Sequence, residues 1–135
     1  MTDATPQPRR TFRVITWNIE NVKTHNYSLH KLLLANIPDL VLLSEPQSYQ
    51  TDIRQALEGV HHEYDFWLNS DDLHDPELPM VKSRAVGGTL ALWRKWLDPY
   101  ISVYSVQSSA LLPLVLTLPD SRTSVHVALY LPTNG

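Results

Sequence analysis

A chain of 135 residues, 43% hydrophobic and 19% charged, has the length and balance of one soluble domain with one core. The absence of cysteine excludes disulfide scaffolds and thiolate metal sites, and no apolar run approaches the roughly 18 residues that span a bilayer. A net charge of −3 excludes the overall basic excess with which many proteins neutralise nucleic-acid phosphates.

That mean conceals a segregation of charge. No Lys or Arg lies between Arg54 and Lys82, an interval holding seven of the fourteen acids. Basic residues gather instead at Arg9, Arg10 and Arg13, and again at Lys82, Arg84, Arg94 and Lys95. Chance clustering on a solvated surface and a binding face account for this equally well. Residues 1–11 are polar, contain Pro6 and Pro8, and lack the apolar core of a signal peptide. They read as a flexible arm on an intracellular protein, ahead of a single domain over residues 12–135.

The domain opens with an apolar run over residues 12–18 that suits a strand and ends in Asn18. After a polar loop, Leu29, Leu32, Leu33 and Ile37 recur at helical spacing over residues 27–37. Asn26 or Ser28 is a candidate cap for that helix. Pro38 ends it and is expected to hold Ile37 extended. A second apolar run, residues 39–45, ends in Glu45 and is stopped by Pro46. Strand, helix and strand make a βαβ unit, whose crossover renders the two strands parallel. Asn18 and Glu45 then share the sheet edge at which α/β folds bind ligands.

A second helix is expected over residues 49–58, with Ile53, Ala56, Leu57 and Val60 as its apolar stripe and Gly59 as its C-terminal cap. Strands follow over residues 61–69, 89–93, 100–106, 111–118 and 123–130, the last two joined by a turn at residues 119–122. Residues 70–83 read as a loop, and Gly87-Gly88 as the opening of a core strand. In the final strand Val125, Val127 and Leu129 share one face, with Ser124, His126, Ala128 and Tyr130 on the other. Trp17, Trp67, Trp93 and Trp96 read as core or sheet-face residues. The six histidines show no zinc-like spacing, and His126 reads as a partly buried residue that could also line a site.

An amide and a carboxylate on adjacent strand tips suit a hard cation such as Mg²⁺, which takes oxygen ligands and often only one or two protein carboxylates. On spacing alone, a turn asparagine and a solvated glutamate are the plainer account. The residue strings shift the balance. Thr16-Trp17-Asn18-Ile19, Pro38-Asp39-Leu40-Val41-Leu42-Leu43-Ser44-Glu45, Gly87-Gly88-Thr89-Leu90-Ala91-Leu92 and Leu129-Tyr130-Leu131-Pro132 occur in a fixed order. Together they resemble the endonuclease/exonuclease/phosphatase superfamily, and most closely the apurinic-type endonuclease domains of non-LTR retrotransposons.

The resemblance implies a partial two-sheet α/β sandwich of the DNase I-like kind, corresponding to the N-terminal half of that domain. It implies metal and phosphate roles for Asn18 and Glu45, a place beside the scissile phosphate for Tyr130, Mg²⁺ or Mn²⁺ as cofactor, and DNA as partner. The chain departs from the pattern at Pro46, where a polar residue is usual, and carries no Asp-x-Asn string, later aspartate or terminal Asp-His pair after Tyr130. The expectation is therefore a family member that is nearly inactive by itself. A non-catalytic fragment completed by another chain and a phosphatase of the same superfamily are the alternatives. Half of such a sandwich is also expected to leave an inner sheet face uncovered and so to self-associate or bind a complementing half.

Overall fold

The computed structural model describes residues 11–60, 62–69, 88–104, 106, 108 and 110–129. The arm at residues 1–10, His61, the loop carrying Asp71, Asp72, His74 and Asp75, the basic residues Lys82 and Arg84, Gly87 and Tyr130 lie outside the described residues.

Strand β1 (Val14–Asn18), helix α1 (Asn26–Asn36) and strand β2 (Leu40–Ser44) form the expected βαβ unit. β1 and β2 are parallel, with Val14 opposite Leu40 and Asn18 opposite Ser44. Helix α2 (Gln50–Ala56) follows, then β3 (Tyr64–Asn69) and β4 (Thr89–Arg94). These strands make a four-stranded sheet in the order β1-β2-β4-β3, with β4 antiparallel to both neighbours. A 3₁₀ turn over Lys95–Tyr100 leads to β5 (Ile101–Val103), β6 (Leu111–Thr117) and β7 (Thr123–Leu129), a three-stranded antiparallel sheet in sequential order.

The near-continuous apolar character of β2 and β4 follows from their central place. Both faces of each strand are covered, so neither alternates. Val41, Leu43, Leu90 and Leu92 point to the helices and pack with Leu29, Leu33, Ile53 and Leu57. Leu40, Leu42, Ala91 and Trp93 point the other way and pack on Leu112, Leu114, Leu116 and Ala128 of the second sheet. The result is an α/β fold of two stacked sheets with both helices against one of them.

Several local expectations are corrected. Ile37 is not extended: its φ of 43° and ψ of 58° make it a left-handed C-cap, with its N–H donating to the Leu33 carbonyl at 3.1 Å. Chain reversal before a buried Pro38 outweighs the steric preference of the residue preceding proline. The N-cap of α1 is His25, without a side-chain cap, and Asn26 is already helical. Helix α2 ends at Ala56 with Leu57 as its C-cap, so Gly59 (φ 95°) turns the chain two residues later. Trp93 and Trp17 belong to the core clusters, but Trp67 and Trp96 are half exposed.

The packing expectation also changes. The second core cluster fills the face between the sheets at β2 and β4, but on β1 that face stays open, with Val14 38% exposed. More exposed apolar surface lies on the outer face of β7, where Val125, Val127 and Leu129 are 63%, 45% and 50% exposed.

The central leucines should dominate stability. Leu92 is fully buried between the helices and β4's neighbours, so Leu92→Ala is expected to lower unfolding free energy by about 2–5 kcal/mol. Leu34, 65% exposed on α1, is the control, with Leu34→Ala expected to stay within about 0.5 kcal/mol. Urea denaturation midpoints compare the two.

Candidate functional site

The register of β1 and β2 fixes the site. Asn18 lies directly beside Ser44, and Glu45 follows one residue beyond. The pairing does not stop where the strands do. The Ile19 N–H donates to the Ser44 carbonyl at 3.0 Å, Asn21 N–H to the Glu45 carbonyl at 2.9 Å, and Val22 N–H to the Pro46 carbonyl at 2.9 Å. Ile19 and Val22 are buried and anchor this loop in the helix-side core. Lys23 Nζ lies 3.5 Å from Asp52 Oδ1, a further tie between the loop after β1 and the start of α2. Glu45 is also held from its other side, its N–H donating to the Gly88 carbonyl at 3.1 Å.

The backbone here is strained. Glu20, Asn21, Glu45 and Gln47 have φ of 56°, 119°, 55° and 44°. Such left-handed conformations in non-glycine residues cost on the order of 1 kcal/mol or more each, and they concentrate at functional sites. Buried neighbours and the cross-loop bonds hold them in place. Pro46 helps, because its fixed ring and its carbonyl, which accepts from Val22 N–H at 2.9 Å and Ser48 Oγ at 2.6 Å, rigidify the turn after Glu45.

Asn18 is exposed and Glu45 partly so. Beside them opens a cavity of about 290 Å³, lined by residues 16–18 of β1, 42–44 of β2 and 127–129 of β7. Leu129 brings the end of β7 to this cavity. Tyr130, the residue expected beside a scissile phosphate, follows it but lies outside the described residues. His126 is not at the cavity. Its ring packs 6.0 Å from Phe12, and its Nε2 pairs with Ser124 Oγ at 2.9 Å. Of the basic residues singled out in the sequence, two that the structure describes are engaged away from the site: Arg13 donates to the Asn36 carbonyl, and Arg94 pairs with Glu63 on β3's side.

The structure therefore brings Asn18 and Glu45 together. Glu20 lies in the loop just past Asn18, its backbone flanked by the Ile19–Ser44 and Asn21–Glu45 bonds. Its signal in the sequence is an acid two residues past a strand-end asparagine. The donors at these tips are an amide oxygen and carboxylates, hard oxygen ligands that fit Mg²⁺ or Mn²⁺. Among the described residues no group of three or more His, Asp or Glu side chains could hold a metal. A cation here would thus complete its shell with water or phosphate oxygens.

No family model and no curated relative matches the sequence. Solved structures do match the fold. The chain is similar to AP endonuclease LMAP from Leishmania major (19% identity, TM-score 0.63, 97% of this chain and 46% of that one). It is similar to an endonuclease/exonuclease/phosphatase from Beutenbergia cavernae (20% identity, TM-score 0.56, 94% and 40%). It is also similar to D. rerio TDP2, complexed with single-strand DNA product (18% identity, TM-score 0.54, 86% and 44%). The chain has the DNase I-like α/β fold and spans less than half the length of each of these neighbours. The structural neighbours are endonuclease/exonuclease/phosphatase superfamily members.

Two measurements probe this region. Gly88 has φ 91°, so Gly88→Ala is expected to cost about 1 kcal/mol or more and to shift the amide signals of Ser44 and Glu45 in NMR spectra, since Gly88 holds Glu45 by its carbonyl. For His126, burial lowers the imidazole pKa below its ordinary 6.5. The neutral ring is favoured in the fold, so its stability contribution is complete above pH 6.5 and is lost as pH falls from there through the lowered folded value. His126→Gln is expected to flatten the melting temperature across that acid range.

Proposed function

We propose that this chain carries the metal and phosphate side of a phosphodiester hydrolase of the endonuclease/exonuclease/phosphatase type, with DNA as its substrate. The observation that carries this is the juxtaposition of Asn18 and Glu45 on parallel strand tips, held by strained loops beside an open cavity. Glu45 supplies a carboxylate for Mg²⁺ or Mn²⁺, with Glu20 as a second candidate. Asn18 offers a neutral amide that orients a phosphate oxygen without adding negative charge near a polyanion. When bound, the cation would neutralise charge developing on the phosphoryl oxygens. The retrotransposon-type endonuclease strings in the sequence favour nicking of DNA over hydrolysis of a small phosphoester. Tyr130 belongs to the same proposal through its place one residue past Leu129.

The donors at the tips position a phosphate but provide neither a base for water nor an oxyanion partner. Losing a general acid or base costs about 10²–10⁴ in rate, and losing one electrostatic stabiliser about 10²–10³ more. The isolated chain is accordingly proposed to bind the cation and to cleave barely at all. Mn²⁺ titration followed by electron paramagnetic resonance is expected to show one site, with affinity lowered at least tenfold in Glu45→Gln. Equal binding in both proteins would overturn the site. Plasmid nicking in Mg²⁺ is expected near background, and robust nicking abolished by Glu45→Ala would overturn the reading of an incomplete catalytic set.

A further inference from the structure

Sheet edges invite pairing, because each leaves a row of backbone donors and acceptors unmet. Among the described residues four strands are edges: β1 and β3 in one sheet, β5 and β7 in the other. Two carry the usual protection. β5 is three residues long, and β3 contains Asp65 with the Glu63–Arg94 ion pair at its start. The other two have none. β1 reads Val-Ile-Thr-Trp-Asn and β7 reads Thr-Ser-Val-His-Val-Ala-Leu, without a charge, a proline or a glycine in either.

These two bare edges lie on the same side of the molecule and are staggered. β7 packs over β2, while β1 continues the first sheet one strand further out. Val14 and Thr16 share the inter-sheet face with Leu40 and Leu42, but the described strands of the second sheet leave both exposed. The cavity of about 290 Å³ is the upper end of this step.

We propose that a second copy of the chain fills the step. A two-fold axis between the two sheets sets β1 of each copy against β7 of the other, giving an isologous dimer with two identical strand-to-strand seams. Each sheet then grows to seven strands, four from one copy and three from its partner. The partner's β1 lies above Val14 and Thr16, so the two uncovered stretches cover each other. Pairing β7 with the partner's β7 is excluded by the same stagger, since β1 projects where the partner's first sheet would have to lie. No like charges meet at either seam.

The test uses the whole chain and no activity, so its outcome is separate from that of the proposed hydrolase. Sedimentation equilibrium in the micromolar range is expected to give twice the 15.4 kDa chain mass. The chain has no cysteine, so Ile15→Cys and Val127→Cys place single thiols on the outward faces of β1 and β7. A short bismaleimide linker should join the two variants when mixed and join neither to itself. Thr16→Arg, at an exposed position facing the step, should shift the protein to monomer with its urea midpoint retained. A monomer throughout, linkage of Val127→Cys to itself, open-ended oligomers, or a dimer unaffected by Thr16→Arg would each overturn the proposal. Should Thr16→Arg fail to fold, the mixed-thiol result decides alone.

Discussion

The parallel pairing of β1 with β2, continued by three hydrogen bonds donated from the loop after β1, is the constraint from which the rest of the site follows. A parallel pair aligns the two C-terminal ends. Here Ile19, Asn21 and Val22 keep donating to Ser44, Glu45 and Pro46, so the loops leave the sheet in step. The left-handed residues are the consequence, because a chain that must bond sideways while reversing direction has few other conformations available. Glu45 is pinned on both sides, by Asn21 at its carbonyl and by Gly88 at its amide. Both of its backbone groups are therefore fixed, and the direction in which its side chain leaves the turn is fixed with them.

Packing explains how so short a βαβ unit tolerates that strain. β2 and β4 are buried on both faces, and their side chains feed two separate clusters. The helix-side cluster includes Ile19 and Val22, so the loop that shapes the site is itself part of the core. At about 25 cal/mol per Å² of buried apolar area, anchoring two aliphatic side chains is comparable in size to the cost of several left-handed residues. The site's geometry and the core's integrity are therefore one energetic unit, and damage to either is felt in both.

Much of this was legible in the residues. The two apolar runs, the intervening helical spacing and the stops at Pro38 and Pro46 are strong local signals, and together they determine that Asn18 and Glu45 become neighbours. What was hidden depends on context. Ile37 adopts a left-handed cap because the chain must reverse before β2, a tertiary demand that overrides the local bias against it. Trp67 and Trp96 are covered only in part, Trp96 by the edge of the Tyr100 ring. The alternation in β7 is plain, but alternation alone does not say which face is inward. Leu112, Leu114 and Leu116 of β6 already fill the inter-sheet space, so β7 needs only Ala128 and the partly buried His126 on that side, and its valines turn outward. Glu20 escaped notice because a loop has no period to single out one polar residue among several.

The same asymmetry that opens the site also opens the fold. Among the described residues the second sheet ends at β7 while the first continues to β1, and the step between them is bounded above by Asn18 and Leu129. A strand laid into that step would satisfy two rows of backbone groups and cover the apolar face of β1, yet it would leave the tips of β1 and β2 facing outward. Completion of the sheets and access to the tips are thus compatible demands. They are met on perpendicular directions of the same pair of strands: pairing runs across the edge, and ligand approach runs along the strand axis from the C-terminal end. A βαβ unit can for that reason serve as both a docking edge and a site without either role obstructing the other.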